Sequence, residues 1–150
     1  MTEERINPHR IKPASKAMFA LVAAVSAEAE SAGVEPEILE FVKLRASQLN
    51  HCAFCIDMHM VDARKLGISD QRLDLLPAWR ETSLYSERER AAMELTEAMT
   101  LLPDDVSDEV WEGAAKVFSE DQLAVVVWAA SVINALNRLG VTTRRRIPAR

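Results

Sequence analysis

Residues 36–67 read PEILEFVKLRASQLNHCAFCIDMHMVDARKLG, and this stretch decides the fold. Pro36 sits where the first turn of a helix tolerates an imino acid, because the N–H it lacks would have no partner there. From it Ile38, Phe41, Val42, Leu44 and Leu49 recur at helical rather than alternating spacing, so a helix reads to about Asn50. A second helix runs over about residues 52–66 and stops at Gly67, a usual residue just past a helix end. Two helices in direct succession, with nothing strand-like between them, point to an all-α protein.

The flanks agree. Pro13 precedes an Ala-rich run over residues 14–32 that Gly33 closes. Ser69 and Asp70 start a short helix ended by Pro77, and residues 77–85 read as irregular. Ser86 and Glu89 form a capping-box pattern before residues 91–102, residues 103–105 form a turn, and Ser107 caps a helix carrying Val110, Trp111, Ala114 and Phe118. Ser119 and Gln122 are a second capping box, opening an apolar helix that Gly140 ends. No strand-length β-branched alternation, low-complexity segment, repeat or linker interrupts the chain. The expectation is one all-α domain over residues 1–150, a bundle of about six or seven helices.

A chain of 150 residues can bury about two thirds of its unfolded surface and needs no disulfide or metal staple to fold. Its net charge of −5 argues against nucleic acid and anionic membrane as main partners. Two basic stretches break that balance: His9, Arg10 and Lys12, then Arg144 to Arg146 with Arg150. Both read as solvated tails. The start, MTEERINPHR, lacks the apolar core of a secretory signal. The longest apolar run, residues 123–136, contains Ser131 and Asn134 and reads as too short to span a bilayer of about 30 Å. These features imply a cytoplasmic protein. In that reducing compartment two cysteines three apart are catalytic or metal-binding sooner than structural.

The chemistry concentrates at Asn50-His51-Cys52-Ala53-Phe54-Cys55-Ile56-Asp57-Met58-His59. With a step of about 100° per residue and Cys52 at zero, Cys55 falls at about 300° and His59 at about 340°. On a helix beginning near residue 50 or 51 all three share one stripe, with Cys52 in the first turn. Free N–H groups and the helix dipole would favour a thiolate there, and the thiolate is the nucleophile. His59, with an unperturbed pKa of about 6.5, suits the base. Two other readings stay open. Both cysteines can be small buried hydrophobes beside a satisfied histidine. A zinc site could recruit His9, His51 or Glu40, although a closed structural site needs four ligands and no second CxxC is present. Asp57 lies about 140° from the stripe and is left out. Trp79 and Arg80 read as packing residues sooner than site residues. Asn134 and Asn137 read as satisfying backbone or interface groups.

Glu40, eleven intervening residues and Cys52-x-x-Cys55-x-x-x-His59 together resemble the AhpD-like alkylhydroperoxidases of the carboxymuconolactone decarboxylase superfamily. The runs Asp62-Ala63-Arg64-Lys65-Leu66-Gly67, Leu76-Pro77-Ala78-Trp79-Arg80-Glu81-Thr82 and Ser86-Glu87-Arg88-Glu89-Arg90 are also similar to that family's core, which spans about residues 35–99 here. The resemblance implies an all-α fold, homo-oligomers, and reduction of hydroperoxides through a disulfide cycle reset by an external dithiol donor. It implies that Cys55 attacks the peroxide, that Cys52 resolves the product, and that Glu40 and His59 relay protons. At one position the chain departs from the best-studied branch: Phe54 stands where that branch has a second histidine, which implies a shorter relay or a different donor. No flavin, haem or nucleotide motif is present, so no cofactor and no metal is expected, and the thiols themselves are the redox centre. The rival activities are a lactone decarboxylase, which needs no cysteine pair, and a redox-sensing or zinc-stabilised binding protein.

The apolar residues Leu123, Val125 to Ala130, Val132, Ile133 and Leu136 cover nearly the whole circumference of their helix. Such a helix is expected to be buried on all sides, inside one bundle or between subunits. With the family resemblance, this leads to the expectation of a homo-oligomer, a trimer or a hexamer.

Overall fold

The computed structural model describes residues 3–102 and 104–149, all of whose regular structure is helical. The order is α1 (Lys12–Ala32), α2 (Pro36–Leu49), α3 (Ala53–Lys65), α4 (Asp70–Asp74), a 3₁₀ helix (Leu76–Glu81), α5 (Glu87–Leu101), α6 (Asp108–Ala115) and α7 (Glu120–Thr143). The all-α expectation holds, with seven α-helices and one 3₁₀ helix where about six or seven were expected. The expected turn at residues 103–105 begins on Pro103, which lies outside the described residues, as does Arg150.

Helix α2 is the wall between two apolar clusters, and its sequence explains this. Ile38, Leu39 and Val42 face one side, where they meet Leu95 of α5 and Leu123, Val126 and Ala130 of α7. Phe41 and Leu44 face the other, among Ala63 of α3, Leu73 of α4, Leu76 and Trp79 of the 3₁₀ helix and Met93 of α5. Phe41, Val42 and Leu44 are wholly buried. Truncating a residue such as Phe41 to alanine costs about 3–5 kcal/mol in comparable cores.

Caps behave as the sequence indicates. Ser86 and Glu89 close a capping box on α5, Ser119 and Gln122 close one on α7, and Ser107 caps α6. Gly33 ends α1 in the left-handed conformation at φ 69°, and the N–H groups of Gly33 and Val34 reach back to Glu30 and Ala29. The segment after Pro77 is a correction, since it winds into the 3₁₀ helix. Glu97 of α5 anchors it, accepting from Trp79 Nε1 at 2.7 Å and from the guanidiniums of Arg45 and Arg80. Arg80 also lies 4.1 Å above the Trp79 ring. Trp79 and Arg80 are therefore packing residues.

Helix α7 departs from expectation in two ways. It does not end at Gly140 but runs on to Thr143 and stops at Arg144, which takes the left-handed conformation at φ 55°. At 24 residues it has the length and apolar composition to cross a membrane, which corrects the reading that its apolar run is too short. Here one face of it packs on α1, α2 and α5. Burial is also not all-round. Leu123, Val126, Ala130, Ile133, Asn137 and Gly140 form the inward stripe, whereas Trp128 on the outer side is 55% exposed.

Candidate functional site

The turn between α2 and α3 is three residues long, Asn50 to Cys52, and His51 makes it possible. Its backbone sits at φ 56°, a left-handed position usually given to glycine, and the Cys52 N–H donates to the Ser47 carbonyl at 2.9 Å. This closes α2 in a Schellman-type cap and delivers Cys52 directly to the start of the next helix. Left-handed backbone at a residue with a Cβ costs about 1 kcal/mol or more and is held by its surroundings.

Those surroundings are a polar network. Asn50 Nδ2 donates to Asn134 Oδ1 at 2.8 Å and to Asn137 Oδ1 at 3.0 Å; Asn137 Nδ2 donates to Ser47 Oγ, and Asn134 Nδ2 to Thr100 Oγ1. The network ties the α2–α3 turn to α7 and α5. Asn134 thus satisfies the Ala130 backbone carbonyl, as expected, and with Asn137 also bonds side chains of the turn, α2 and α5. Ser47, Asn50 and Thr100 carried no recognisable signal in the sequence, because a hydroxyl or amide gains meaning only from a partner 34 to 90 positions away.

Cys52 is the N-cap of α3 rather than a residue of its first turn, so the stripe arithmetic fails for it. Its carbonyl accepts from the Ile56 N–H at 2.9 Å, and its side chain makes no capping bond. The pair nevertheless meets, and Cys52 and Cys55 form a disulfide across a Cα–Cα separation of 5.3 Å. Cys52 is 1% and Cys55 4% exposed. Cys55 and His59 are one helical turn apart on α3, and both are buried.

Glu40 projects from α2 to the same region. Its Oε2 lies 3.0 Å from His59 Nδ1, and its Oε1 accepts from Lys43 Nζ at 2.7 Å. Burial pushes the Glu40 carboxyl up, but the His59 hydrogen bond and the Lys43 ammonium outweigh it and hold the group below its ordinary value. An ionised carboxylate only accepts, so His59 Nδ1 must carry the proton shared with it. In the neutral ring this leaves Nε2 as the basic nitrogen. All four residues singled out from the sequence, Glu40, Cys52, Cys55 and His59, are brought into this one region.

Two cavities reach the region from different directions. One of about 760 Å³ is lined by Glu40, Lys43, Asp62 and Lys65. The other, of about 710 Å³, has Cys52, Phe54 and Gly140 in its wall, with Arg144, Arg145 and Arg146 around it. In the basic C-terminal stretch Arg144 and Arg146 are exposed, as expected of a solvated segment, whereas Arg145 is half-buried and packs. The Arg145 guanidinium lies 3.8 Å above the Phe54 ring. At the other end, Arg10 and Lys12 are exposed as expected, whereas His9 bonds to Ser15 Oγ at 2.7 Å and packs on Phe19. His51 lines the second cavity beside Cys52, and His9 stands near Phe19. Among the described residues no group of three or more His, Cys, Asp or Glu side chains is placed to hold a metal ion.

Comparison with known proteins agrees with this architecture. The sequence model of the Carboxymuconolactone decarboxylase family matches residues 13–98. The chain is 44% identical over 108 residues to the uncharacterised protein YdfG of Bacillus subtilis, covering 71% of this chain and 74% of YdfG. A crystal structure from Agrobacterium tumefaciens superposes with a TM-score of 0.90 at 35% identity, covering 99% of this chain and 100% of that one. That protein is of unknown function and carries the provisional name antioxidant defence protein AhpD. The debrominase Bmp8 shares the fold, with a TM-score of 0.83 at 18% identity over 95% of this chain and 75% of its own. With more than half of its length matched by the family model, and with a full-length structural counterpart, the chain belongs to the carboxymuconolactone decarboxylase family as an AhpD-like member.

Proposed function

We propose that the chain is a thiol-dependent peroxidase and disulfide oxidoreductase of the AhpD kind, acting on hydroperoxides in the cytoplasm. The observation that carries this reading is the Glu40–His59 hydrogen bond, which sets a basic ring nitrogen on the helix that bears Cys55, one turn from the redox pair. A decarboxylase would have no use for paired cysteines, which is why the redox reading stands first.

In the reduced enzyme His59 Nε2 takes the Cys55 proton, and the thiolate attacks the terminal oxygen of the hydroperoxide. The O–O bond breaks, the alkoxide leaves with the proton from His59, and Cys55 becomes a sulfenic acid. Cys52 as thiolate then attacks that sulfur. Hydroxide leaves, takes a proton and departs as water, and the Cys52–Cys55 disulfide forms. An external dithiol, oxidised to its own disulfide, returns two electrons. Glu40 accepts the hydrogen bond from His59 throughout, and that bond together with the Lys43 ammonium keeps Glu40 ionised.

The same reading includes assembly. Helix α1 has one buried residue, Ala29, and its side meets α7 along a groove lined by Leu21, Ala24, Val25, Ala124 and Trp128. Phe19 and Trp128 are both more than half exposed in the lone chain. A second copy covering this surface would complete the burial that the α7 sequence leads one to expect. The test of the function is peroxide consumption with several dithiol donors, run on native protein and on Cys55→Ser. Turnover by the native protein alone supports the reading, and equal rates for both sink it.

A further inference from the structure

The cavity beside the disulfide is asymmetric in a way that bears on what resets it. The sulfur-bearing residue in its wall is Cys52, not Cys55. The disulfide form is the one that must receive a reductant, and of its two residues Cys52 is the one that lines this cavity. Around Cys52 stand Arg144, Arg145 and Arg146, and Phe54 supplies an apolar face. Their placement is built into the fold. Arg144 is held in left-handed backbone at the end of α7, and the Arg145 N–H closes that end on the Gly140 carbonyl at 3.0 Å. That turn sets Arg145 over Phe54.

Among the described residues none of these three guanidiniums has a carboxylate within ion-pair distance. Two carboxylates are nearby. Glu3 lines the cavity, and Glu4 accepts from the backbone N–H of Arg146 at 3.5 Å. Burial makes the Arg145 charge less favourable than in water, and Glu4 offsets this in part. A cluster of guanidiniums with no carboxylate of their own, beside an aromatic face, suits an anion with an apolar arm.

We propose that this cavity binds the reductant, a small carboxylate-bearing thiol, with its carboxylate on Arg144 to Arg146, its carbon arm on Phe54 and its sulfur directed at Cys52. This rests on the redox reading of the cysteine pair and names the chemistry of its donor. The incoming thiolate attacks Cys52 Sγ, forming a mixed disulfide with Cys52 and releasing Cys55 as a thiolate, one turn from His59. A second thiolate, from the same molecule or another, attacks the donor's sulfur. It forms the donor disulfide and releases Cys52 as a thiolate, so two electrons reach the protein.

The test is the rate of disulfide reduction in the native protein by thiols of different charge, 3-mercaptopropionate, 2-mercaptoethanol and cysteamine. Each rate is normalised to that thiol's rate with a small neutral disulfide, since thiol pKa alters intrinsic reactivity. The anionic thiol should exceed the neutral one by about tenfold or more, as one charge-assisted hydrogen bond supplies. The chain's net charge of −5 would by itself oppose that order. The preference should fall with added salt and with octanoate as a thiol-free competitor. It should collapse in Arg145→Gln and in Arg144→Gln/Arg146→Gln, and persist in the remote Lys116→Gln. A ratio near one, a cationic preference, or a preference that survives both arginine variants overturns the assignment. Peroxide turnover is measured separately. If it is absent while the anionic preference holds, the peroxidase reading fails and the cavity assignment stands. If it is present with a ratio near one, only the cavity assignment fails.

Discussion

Gly140 of α7 stands directly against the sulfur of Cys52: a Cβ built on it would lie 2.8 Å from Cys52 Sγ and 3.6 Å from Cys55 Sγ. The glycine is an approach site inside a helix, since α7 runs on past it to Thr143. Gly140→Ala gains about 1 kcal/mol of helix propensity, yet it pushes a methyl into a disulfide that cannot swing aside. Overpacking of this kind costs about 1–3 kcal/mol. The variant should therefore lose stability in the oxidised protein and lose less, or gain, in the reduced one, where the thiols can rotate. Thermal melts in both redox states measure this. An equal rise in Tm in the two states would show that the helix and the disulfide are not in contact.

The two cysteines should fail differently. Cys55→Ser should abolish reaction with peroxide, whereas Cys52→Ser should leave a trappable sulfenic acid at Cys55 and no multiple turnover. The basis is that Cys55 shares α3 with His59, while Cys52 lies outside the helix as its N-cap. Mass spectrometry after a sulfenic-acid trap reads the position. A trapped Cys52 in Cys55→Ser, formed at the native rate, would reverse the two roles.

Removing either end of the Glu40–His59 pair should slow peroxide reduction at neutral pH by about 10²–10⁴-fold, the usual size of general acid–base assistance. Native rates for both Glu40→Gln and His59→Gln across pH 5 to 9 would dismiss the relay. Glu40 also has a signature in stability. Its carboxyl is held below the ordinary 4.5. A group depressed in the folded state contributes stability that is complete above its unfolded value and is lost as pH falls through the folded one. Glu40→Gln should thus be less stable than native protein at pH 7, with the gap closing below about pH 4.5. Denaturant midpoints at pH 7 and below pH 4.5 measure the gap, and a constant difference would contradict the assignment.

Assembly should be disrupted through Trp128. Native protein is expected to scatter light at three or six times 16.7 kDa at micromolar concentration. Trp128→Glu should shift it toward the single-chain mass without loss of helicity, because the side chain is exposed within one chain. A native mass that stays at 16.7 kDa on concentration would end the proposal.

Much of the fold was legible because its determinants are local. The Ser86–Glu89 and Ser119–Gln122 boxes, the Ser107 cap and the stop at Gly33 depend on residues within a few positions of one another. Periodicity along α2 likewise showed a helix before any partner was known. The pairing of Cys55 with His59 was legible for the same reason, since four residues on one helix make one turn. The role of Glu40 was different, and only the resemblance to a family singled it out.

What only the tertiary structure decided lies where distant segments meet. Gly140 reads locally as a helix stop, and packing against the disulfide overrides that reading, because a helix-interior glycine costs only about 1 kcal/mol. Arg145 reads as part of a solvated tail, because nothing near it in sequence shows that it folds onto Phe54. His51 gave no sign of left-handed backbone, because it is held there by the cap on Ser47 and by the Asn50 contacts to Asn134 and Asn137. Hydrogen bonding and periodicity within a few residues are written in the chain itself, so the sequence determined the helices and the placement of the cysteine pair beside His59. Close approach, burial and the charge of a cavity depend on which distant residues become neighbours, and only the folded arrangement determines that.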